Sequence, residues 1–91
     1  MTLISIIIPY YKKRYYIRQT LQSILKQDYK HFEILLIYDD EDQSDLVLLK
    51  NLSKIDKRIK LIINKKNIGA GMSRNKAIKL SKGNYIAFID A

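Results

Sequence analysis

Cysteine is absent from this chain, and histidine and proline occur once each. Without cysteine, neither a disulfide framework nor a thiolate zinc site can form, which fits a reducing compartment. The single histidine, His31, precedes the second predicted strand, at the opposite end of the sheet from the strand tips. No histidine-based catalytic triad is therefore predicted.

Long apolar runs are also absent. The apolar run in MTLISIIIPYYKKR is too short for a signal peptide, and the positive charges follow it instead of preceding it. No stretch approaches the ~18 apolar residues of a membrane span. A length of 91 residues with 47% hydrophobic side chains suits one small domain covering residues 1–91. We expect a cytoplasmic location.

Positive charge is in excess, with 17 lysines and arginines against nine acidic residues and a net charge of +8. Such a balance is compatible with a nucleic-acid or membrane partner. Most of the basic residues, however, are spread along predicted helix ends and connections. We interpret the majority as solvated surface.

Four apolar runs alternate with three helical patterns. The runs are rich in β-branched residues, as in strands buried on both faces of a parallel sheet, and cover residues 3–8, 34–37, 61–63 and 85–89. Asp42 or Ser44 is the expected cap of the second helix, and Gly83 the expected left-handed cap ending the third. The order βαβαβαβ predicts an α/β, Rossmann-like three-layer sandwich with helices on both faces.

Polar and aromatic residues follow the predicted strands. In a parallel sheet the C-terminal strand tips share one edge, where ligands bind. Pro9, expected to end strand one because it lacks an N–H, is followed by Tyr10 and Tyr11, either of which can stack on a base. Asp39 follows strand two and can accept a base N–H, and Asp90 follows strand four. These positions predict a nucleotide site.

Basic residues past strand three suit the phosphates of such a nucleotide. We expect Lys65, Lys66 and Arg74 to contact phosphate oxygens. Residues 67–71 precede a helix N-terminus, which attracts anions, but they match neither G-x-G-x-x-G nor the P-loop pattern. The predicted site is therefore not one of those two phosphate-binding motifs.

Several spaced segments resemble the N-terminal nucleotide-binding half of family 2 glycosyltransferases, which have the GT-A fold. SIIIPYY resembles the family's S-[VI]-[VI]-[IV]-P-x-[YF]-N opening, and YDDEDQSD stands where the family has [DN]-D-G-S-x-D. NKKNIGAGMSRNKAIKLSKGNYIAFIDA resembles the run from N-x-G-x-x-x-A-R-N-x-[GA] to G-[ED]-Y-[IV]-x-[FL]-[LI]-D-[AS]-D. The resemblance covers residues 5–91 and implies a truncated GT-A sheet with strand order 3-2-1-4.

The resemblance also implies roles for individual residues. Pro9 and Tyr11 match positions that line the nucleoside pocket, and Asp39 matches the acid that bonds the base. Arg74 matches the arginine near the diphosphate and ribose. Asp90 matches the first aspartate of D-x-D, which helps to hold the ribose and the metal-bound diphosphate. None of the matched positions is the catalytic base.

The sequence departs from the family pattern in three places. Lys12 replaces the usual Asn, and residues 40–42 replace Gly-Ser-x, so the turn geometry and base preference of that loop are open. The second aspartate of D-x-D, usually the direct metal ligand, would come after Ala91.

The activity implied is inverting transfer of a sugar from a nucleotide-diphosphate donor, with a UDP-sugar preferred, to an acceptor hydroxyl. Mg²⁺ or Mn²⁺ would neutralise the leaving diphosphate in the full-length enzyme, and a carboxylate base would deprotonate the acceptor. We expect this chain to supply donor recognition only, to bind the cation poorly and to be inactive alone. The acceptor glycan or lipid-linked glycan would be bound by a further C-terminal region, at the inner face of the membrane, and the open sheet edge would favour self-association.

Two other classes remain as alternatives. In a receiver-like phosphorelay module, Asp39 and Asp40 would bind Mg²⁺ and Asp90 would accept phosphate, which leaves the first βα unit unexplained. In a basic nucleic-acid-binding module, Lys12, Lys13, Arg14, Lys65 and Lys66 would form one patch beside the tyrosines. No recognised nucleic-acid motif accompanies that patch, and we expect no nucleic-acid partner.

Overall fold

The computed structural model describes residues 2–90. Strands and helices alternate along these residues in the predicted order. The strands are β1 (Ile4–Tyr10), β2 (Phe32–Tyr38), β3 (Ile59–Ile63) and β4 (Tyr85–Phe88), and the helices are α1 (Ile17–Leu25), α2 (Leu46–Ser53) and α3 (Gly69–Leu80). In the part of the chain that is described, no helix has the length and apolar character needed to cross a membrane.

The sheet has the predicted topology, with four parallel strands in the order β3-β2-β1-β4. The chain moves outward from β1 to β3 and then returns to the far side of β1. Because parallel crossovers are right-handed, this reversal puts α3 on the opposite face from α1 and α2. The C-terminal ends of β1 and β4 therefore flank the switch point at which ligands bind in such sheets.

Each face of the sheet has its own apolar core. The larger core lies under α1 and α2 and includes alternate residues of β1, among them Ile6, Ile8 and Tyr10. The smaller core lies under α3 and joins Ile7 of β1 to Leu35, Ile37 and Ala77. Burial on both faces explains why the strands read as continuous apolar runs instead of alternating ones.

The prediction that Pro9 ends β1 is wrong, because the strand continues to Tyr10. The Ile89 N–H donates to the Ile7 carbonyl at 3.0 Å, so Ile7 faces β4, and Pro9, two residues on, faces the same way. The next bond of that ladder would require an N–H on Pro9. Pairing with β4 therefore stops at Ile7, whereas pairing with β2 continues to Tyr10.

Two predicted helix caps are also wrong. The residue that precedes α2 is Asp45, without a side-chain capping bond, while Asp42 accepts a local hydrogen bond from the Ser44 N–H at 2.9 Å. Helix α3 ends at an extended Ser81, and Gly83 does not have a left-handed φ. Gly83 is instead needed for space, since a Cβ there would lie 2.6 Å from the Ser5 nitrogen.

A buried network ties this glycine to the sheet at its N-terminal end. The Glu33 carboxylate accepts hydrogen bonds from Ser5 Oγ at 2.6 Å, Lys60 Nζ at 2.8 Å and the Lys82 N–H at 2.7 Å. Burial alone would raise the pKa of Glu33, but the bonds from Lys60, Ser5 and Lys82 together hold that pKa below its ordinary value. The network fixes the α3–β4 connection to β1 and β2, and so determines where β4 delivers Asp90.

Candidate functional site

A cleft of about 460 Å³ opens at the C-terminal edge of the sheet. The tips of three strands and the start of α3 contribute its walls. The lining residues are Pro9, Tyr10, Tyr11, Lys13, Asp39, Asn67, Gly69, Ala70 and Asp90. Pro9, Tyr11, Asp39 and Asp90, four of the five residues to which the family resemblance gives a nucleotide-binding role, therefore surround one hollow, whereas Arg74 does not line it but pairs with Asp90.

The two adjacent tyrosines have different roles. Tyr10 is fully buried, its ring stacks on Tyr38 with centroids 5.6 Å apart, and its hydroxyl donates to Asp45 Oδ2 at 2.8 Å. Burial, and then the bond to Asp45, raise the pKa of Tyr10. Tyr11 is 46% exposed and lies in the cleft wall. Tyr11 therefore offers its ring to a ligand, whereas Tyr10 packs in the core below the cleft.

Asp39 joins the tips of the central strands to the start of α3. Its side chain is almost fully buried, and its Oδ1 accepts hydrogen bonds from the Ile68 N–H at 2.7 Å and from Asn64 Nδ2 at 3.1 Å. Its Oδ2 accepts one from the Gly69 N–H at 2.9 Å. Gly69 has φ +86°, a left-handed conformation that suits glycine. Asp39 therefore satisfies two backbone donors that α3 itself leaves unpaired.

A count of acceptor sites leaves one site on the Asp39 carboxylate unused. A carboxylate offers about four lone-pair sites, two on each oxygen. Both sites on Oδ1 are taken by Ile68 and Asn64, while Oδ2 accepts only from Gly69. Oδ2 therefore keeps one unused acceptor site, on a residue that also lines the cleft.

The other wall of the cleft carries an exposed ion pair. Arg74 on α3 lies 3.4 Å from Asp90 Oδ1, and its guanidinium is 5.9 Å from the centre of the Phe88 ring. The Asp90 side chain is 90% exposed, so its carboxylate is free to take further partners. Within residues 2–90 there is no group of three or more acidic, histidine or cysteine side chains placed to hold a metal ion.

The basic residues around the cleft differ from those predicted. Lys65 and Lys66 are exposed and do not line it, whereas Lys13 does. The chain turns sharply at Lys12, which has φ +52°, and the next residue, Lys13, lies in the cleft wall. Asn and Asp adopt this left-handed region more readily than Lys. The Asn of the family pattern at this position was therefore a signal for a left-handed turn just before Lys13.

Comparison with known proteins shows which proteins this chain is similar to. The family model described as Glycosyl transferase family 2 matches residues 5–91. UDP-Glc:alpha-D-GlcNAc-diphosphoundecaprenol beta-1,3-glucosyltransferase WfgD of Escherichia coli is 42% identical over 89 residues, which are 98% of this chain and 34% of that protein. The chain spans about a third of the length of several curated relatives that it matches.

Two solved structures share the fold. S. aureus TarS 1-349 in complex with UDP superposes with a TM-score of 0.80 at 32% identity, over 99% of this chain and 27% of that one. Mannosyltransferase PcManGT from Pyrobaculum calidifontis, solved with GDP-Man and Mn²⁺, gives a TM-score of 0.86 at 18% identity, over 96% of this chain and 26% of that one. The prediction of an N-terminal part of the GT-A fold is confirmed.

Proposed function

We propose that this chain, which belongs to glycosyl transferase family 2, forms the donor-nucleotide-binding part of an inverting glycosyltransferase. The observation that carries the proposal is the convergence of Pro9, Tyr11, Asp39 and Asp90 on one cleft at the switch point of the sheet. The family match leaves the receiver-like and nucleic-acid alternatives without support.

Each wall of the cleft suits one part of a nucleoside diphosphate. The exposed ring of Tyr11 offers a stacking surface for the base, and the open site on Asp39 Oδ2 accepts one base N–H. Arg74 and Lys13 supply positive charge for the diphosphate. The base would thus lie beside Tyr11 and Asp39, and the diphosphate beside Lys13 and Arg74.

The single open acceptor on Asp39 favours uracil over guanine. Uracil presents one ring N–H, which needs one acceptor. Guanine presents adjacent ring N–H and amino donors, which pair best with both oxygens of a carboxylate, and here Oδ1 is already saturated. We therefore propose a UDP-sugar as the donor, in keeping with the UDP named for TarS and the UDP-Glc named for WfgD.

The donor set suits a divalent cation held mainly by its substrate. Asp90 offers one exposed carboxylate beside the proposed diphosphate position, and Mg²⁺ or Mn²⁺ takes one or two carboxylates with substrate phosphates. When bound, the ion would supply charge neutralisation for the leaving diphosphate. Arg74, which pairs with Asp90 at 3.4 Å, would contribute the same kind of neutralisation. We propose that the chain holds the cation poorly without nucleotide.

The binding proposal is tested by titrating UDP and GDP into the ¹⁵N-labelled chain with Mg²⁺ present. We expect saturable shifts at residues 9–13, 67–70 and 90, with UDP saturating at the lower concentration. Asp90→Asn should weaken the dependence on Mg²⁺, while Asp28→Asn, the same change of charge at an exposed residue that does not line the cleft, should not. Equal shifts spread over the whole surface, or none, would contradict a nucleotide cleft here.

Catalysis requires groups outside this chain, according to the proposal. No carboxylate besides Asp39 and Asp90 lines the cleft among residues 2–90, and both are assigned to the donor. The base that deprotonates the acceptor, a glycan or a lipid-linked glycan, would come from a further region of the parent protein at the inner face of the membrane. Sugar transfer or UDP-sugar hydrolysis by the purified chain would contradict this assignment.

The edge strand β4 is a second surface through which the isolated chain would bind another protein, in this case a second copy of itself. Among residues 2–90, strand β4 pairs with β1 alone, and the side chains of Tyr85, Ile86 and Phe88 are exposed. An unpaired edge with apolar side chains favours association. We therefore propose self-association through β4, visible in light scattering as a mass that rises with concentration; a constant monomer mass would contradict it.

A further inference from the structure

A cluster of tyrosines and basic residues stands beside the cleft. Within residues 11–18, Tyr15 is 88% exposed, Tyr16 is 61% exposed and Tyr11 is 46% exposed. The same segment carries Lys12, Lys13, Arg14 and Arg18, and no acidic residue precedes Asp28 in the chain. This cluster, which we term the tyrosine-basic surface, is used only in part by the proposed nucleotide site.

The tyrosine-basic surface is an ordered turn and not a loose loop. The N–H groups of Tyr16 and Ile17 both donate to the Lys13 carbonyl at 3.0 Å, and Ile17 is fully buried at the start of α1. Tyr15 and Tyr16, the two most exposed tyrosines of this surface, are therefore held outward by the fold. Large rings kept in water cost free energy unless another surface covers them.

Much of the positive charge on this surface is uncompensated. Arg14 lies 3.6 Å from Asp45, and the pKa of Asp42 is lowered by its hydrogen bonds with Ser44 and, to a smaller extent, by the charge of Lys12. Lys13 and Arg18 form no ion pair within 4.0 Å in the part of the chain that the structure describes. A surface with protruding tyrosines and free cations complements the anionic, partly apolar interface of a lipid bilayer.

We propose that the tyrosine-basic surface docks the protein on an anionic membrane, with the tyrosine rings at headgroup level and Lys13 and Arg18 against lipid phosphates. A protruding turn fits a membrane better than a single-stranded nucleic acid, which is bound along a groove. Since Tyr11 and Lys13 also line the cleft, docking brings the donor site close to the bilayer. Only this last step, the meeting with a lipid-linked acceptor, rests on the proposed function.

The test is co-sedimentation of the chain with vesicles of phosphatidylcholine, with and without phosphatidylglycerol. We expect binding only to the anionic vesicles, weakened by about tenfold when Lys13→Gln and Arg18→Gln are combined. Tyr15→Ser with Tyr16→Ser should weaken it about fivefold. Lys54→Gln with Lys57→Gln removes the same charge from two exposed lysines far along the chain and should change affinity less than about twofold.

A gadolinium-labelled lipid shows which residues lie near the bilayer, independently of the affinity. It should broaden the amide signals of residues 12–18 before those of residues 54–57. Equal weakening by the two charge-matched pairs, binding to neutral vesicles, no binding, or displacement by single-stranded DNA would each overturn the proposal. The assay contains no nucleotide, so its failure would not affect the UDP titration. Conversely, failure of that titration would leave the docking surface standing.

Discussion

Replacing Gly83 by alanine is expected to lower the free energy of unfolding by about 2–4 kcal/mol, or to prevent cooperative folding altogether. The added Cβ would lie 2.5 Å from Ser5 Oγ, 2.6 Å from the Ser5 nitrogen and 2.9 Å from the Tyr85 carbonyl oxygen. Ser5 belongs to the central strand β1, whose backbone cannot move without disturbing its pairing with β2 and β4. The connection at Gly83 must therefore move instead.

That movement would also break buried hydrogen bonds. The Gly83 N–H donates to Ser5 Oγ at 2.8 Å, and Ser5 Oγ in turn donates to Glu33 at 2.6 Å. Loss of these bonds leaves Glu33 buried with fewer donors, which should raise its pKa towards or above its ordinary value. A carboxylate with a lowered folded-state pKa contributes stability above its unfolded-state pKa that disappears as pH falls. In the variant this contribution of Glu33 should shrink.

Gly71 provides the matched control for this substitution. It lies inside α3, a Cβ there would meet no atom within 4 Å, and its φ is not left-handed. Gly71→Ala should raise stability by up to about 1 kcal/mol, because alanine favours the helix and restricts the unfolded chain. Urea unfolding followed by circular dichroism compares the two variants. Similar midpoints for both would show that space at position 83 does not limit the fold.

The general fold could be predicted from the sequence because its determinants are local or repetitive. The β-branched runs of β1 and β2 and the apolar spacing of α1 indicate two-sided strands and a covering helix without reference to any distant residue. The wrong predictions concern positions whose structure depends on residues far away in the sequence. Pro9 continues β1 because β4 ends beside it, and Gly83 is required because the backbone of Ser5 lies close to it.

The positions of the candidate site residues could be predicted in a similar way. Strand-tip positions alone bring Tyr11, Asp39 and Asp90 to one edge, and the structure places them there. Tyr10 could have been separated from Tyr11 by continuing the alternation of Ile6 and Ile8, which points Tyr10 into the core. The donors to Asp39 lie 25 to 30 residues further along the chain, and no local pattern reveals them.

Substitutions of Asp39 are expected to separate its structural role from its role in recognition. Asp39→Ala removes the acceptor of three hydrogen bonds and leaves the N–H groups of Ile68 and Gly69 at the start of α3 without it. Because bonds to a charged acceptor contribute more than neutral ones, we expect a loss of about 2–4 kcal/mol in unfolding free energy. The loss of nucleotide binding in this variant would therefore be partly a loss of fold.

Asp39→Asn disturbs the structural role less than Asp39→Ala does, because it keeps an oxygen at the Oδ1 position for Ile68 and Asn64. The amide nitrogen takes the Oδ2 position, where it presents hydrogens to the Gly69 N–H and to the N–H of an incoming base. Donor would face donor at both contacts, so we expect UDP affinity to fall by more than about tenfold while most of the stability remains. The UDP titration measures the first quantity, and urea unfolding measures the second.

Asp42→Asn is the control, since it removes the same charge from the same loop at an exposed side chain that does not line the cleft. It should leave UDP affinity unchanged within about twofold, as exposed charges are well screened. If Asp39→Asn bound UDP as well as the unaltered chain, the open Oδ2 site would not receive the base, and Asp39 would act only as the anchor of α3. If the two asparagine variants weakened binding equally, net charge would account for both results.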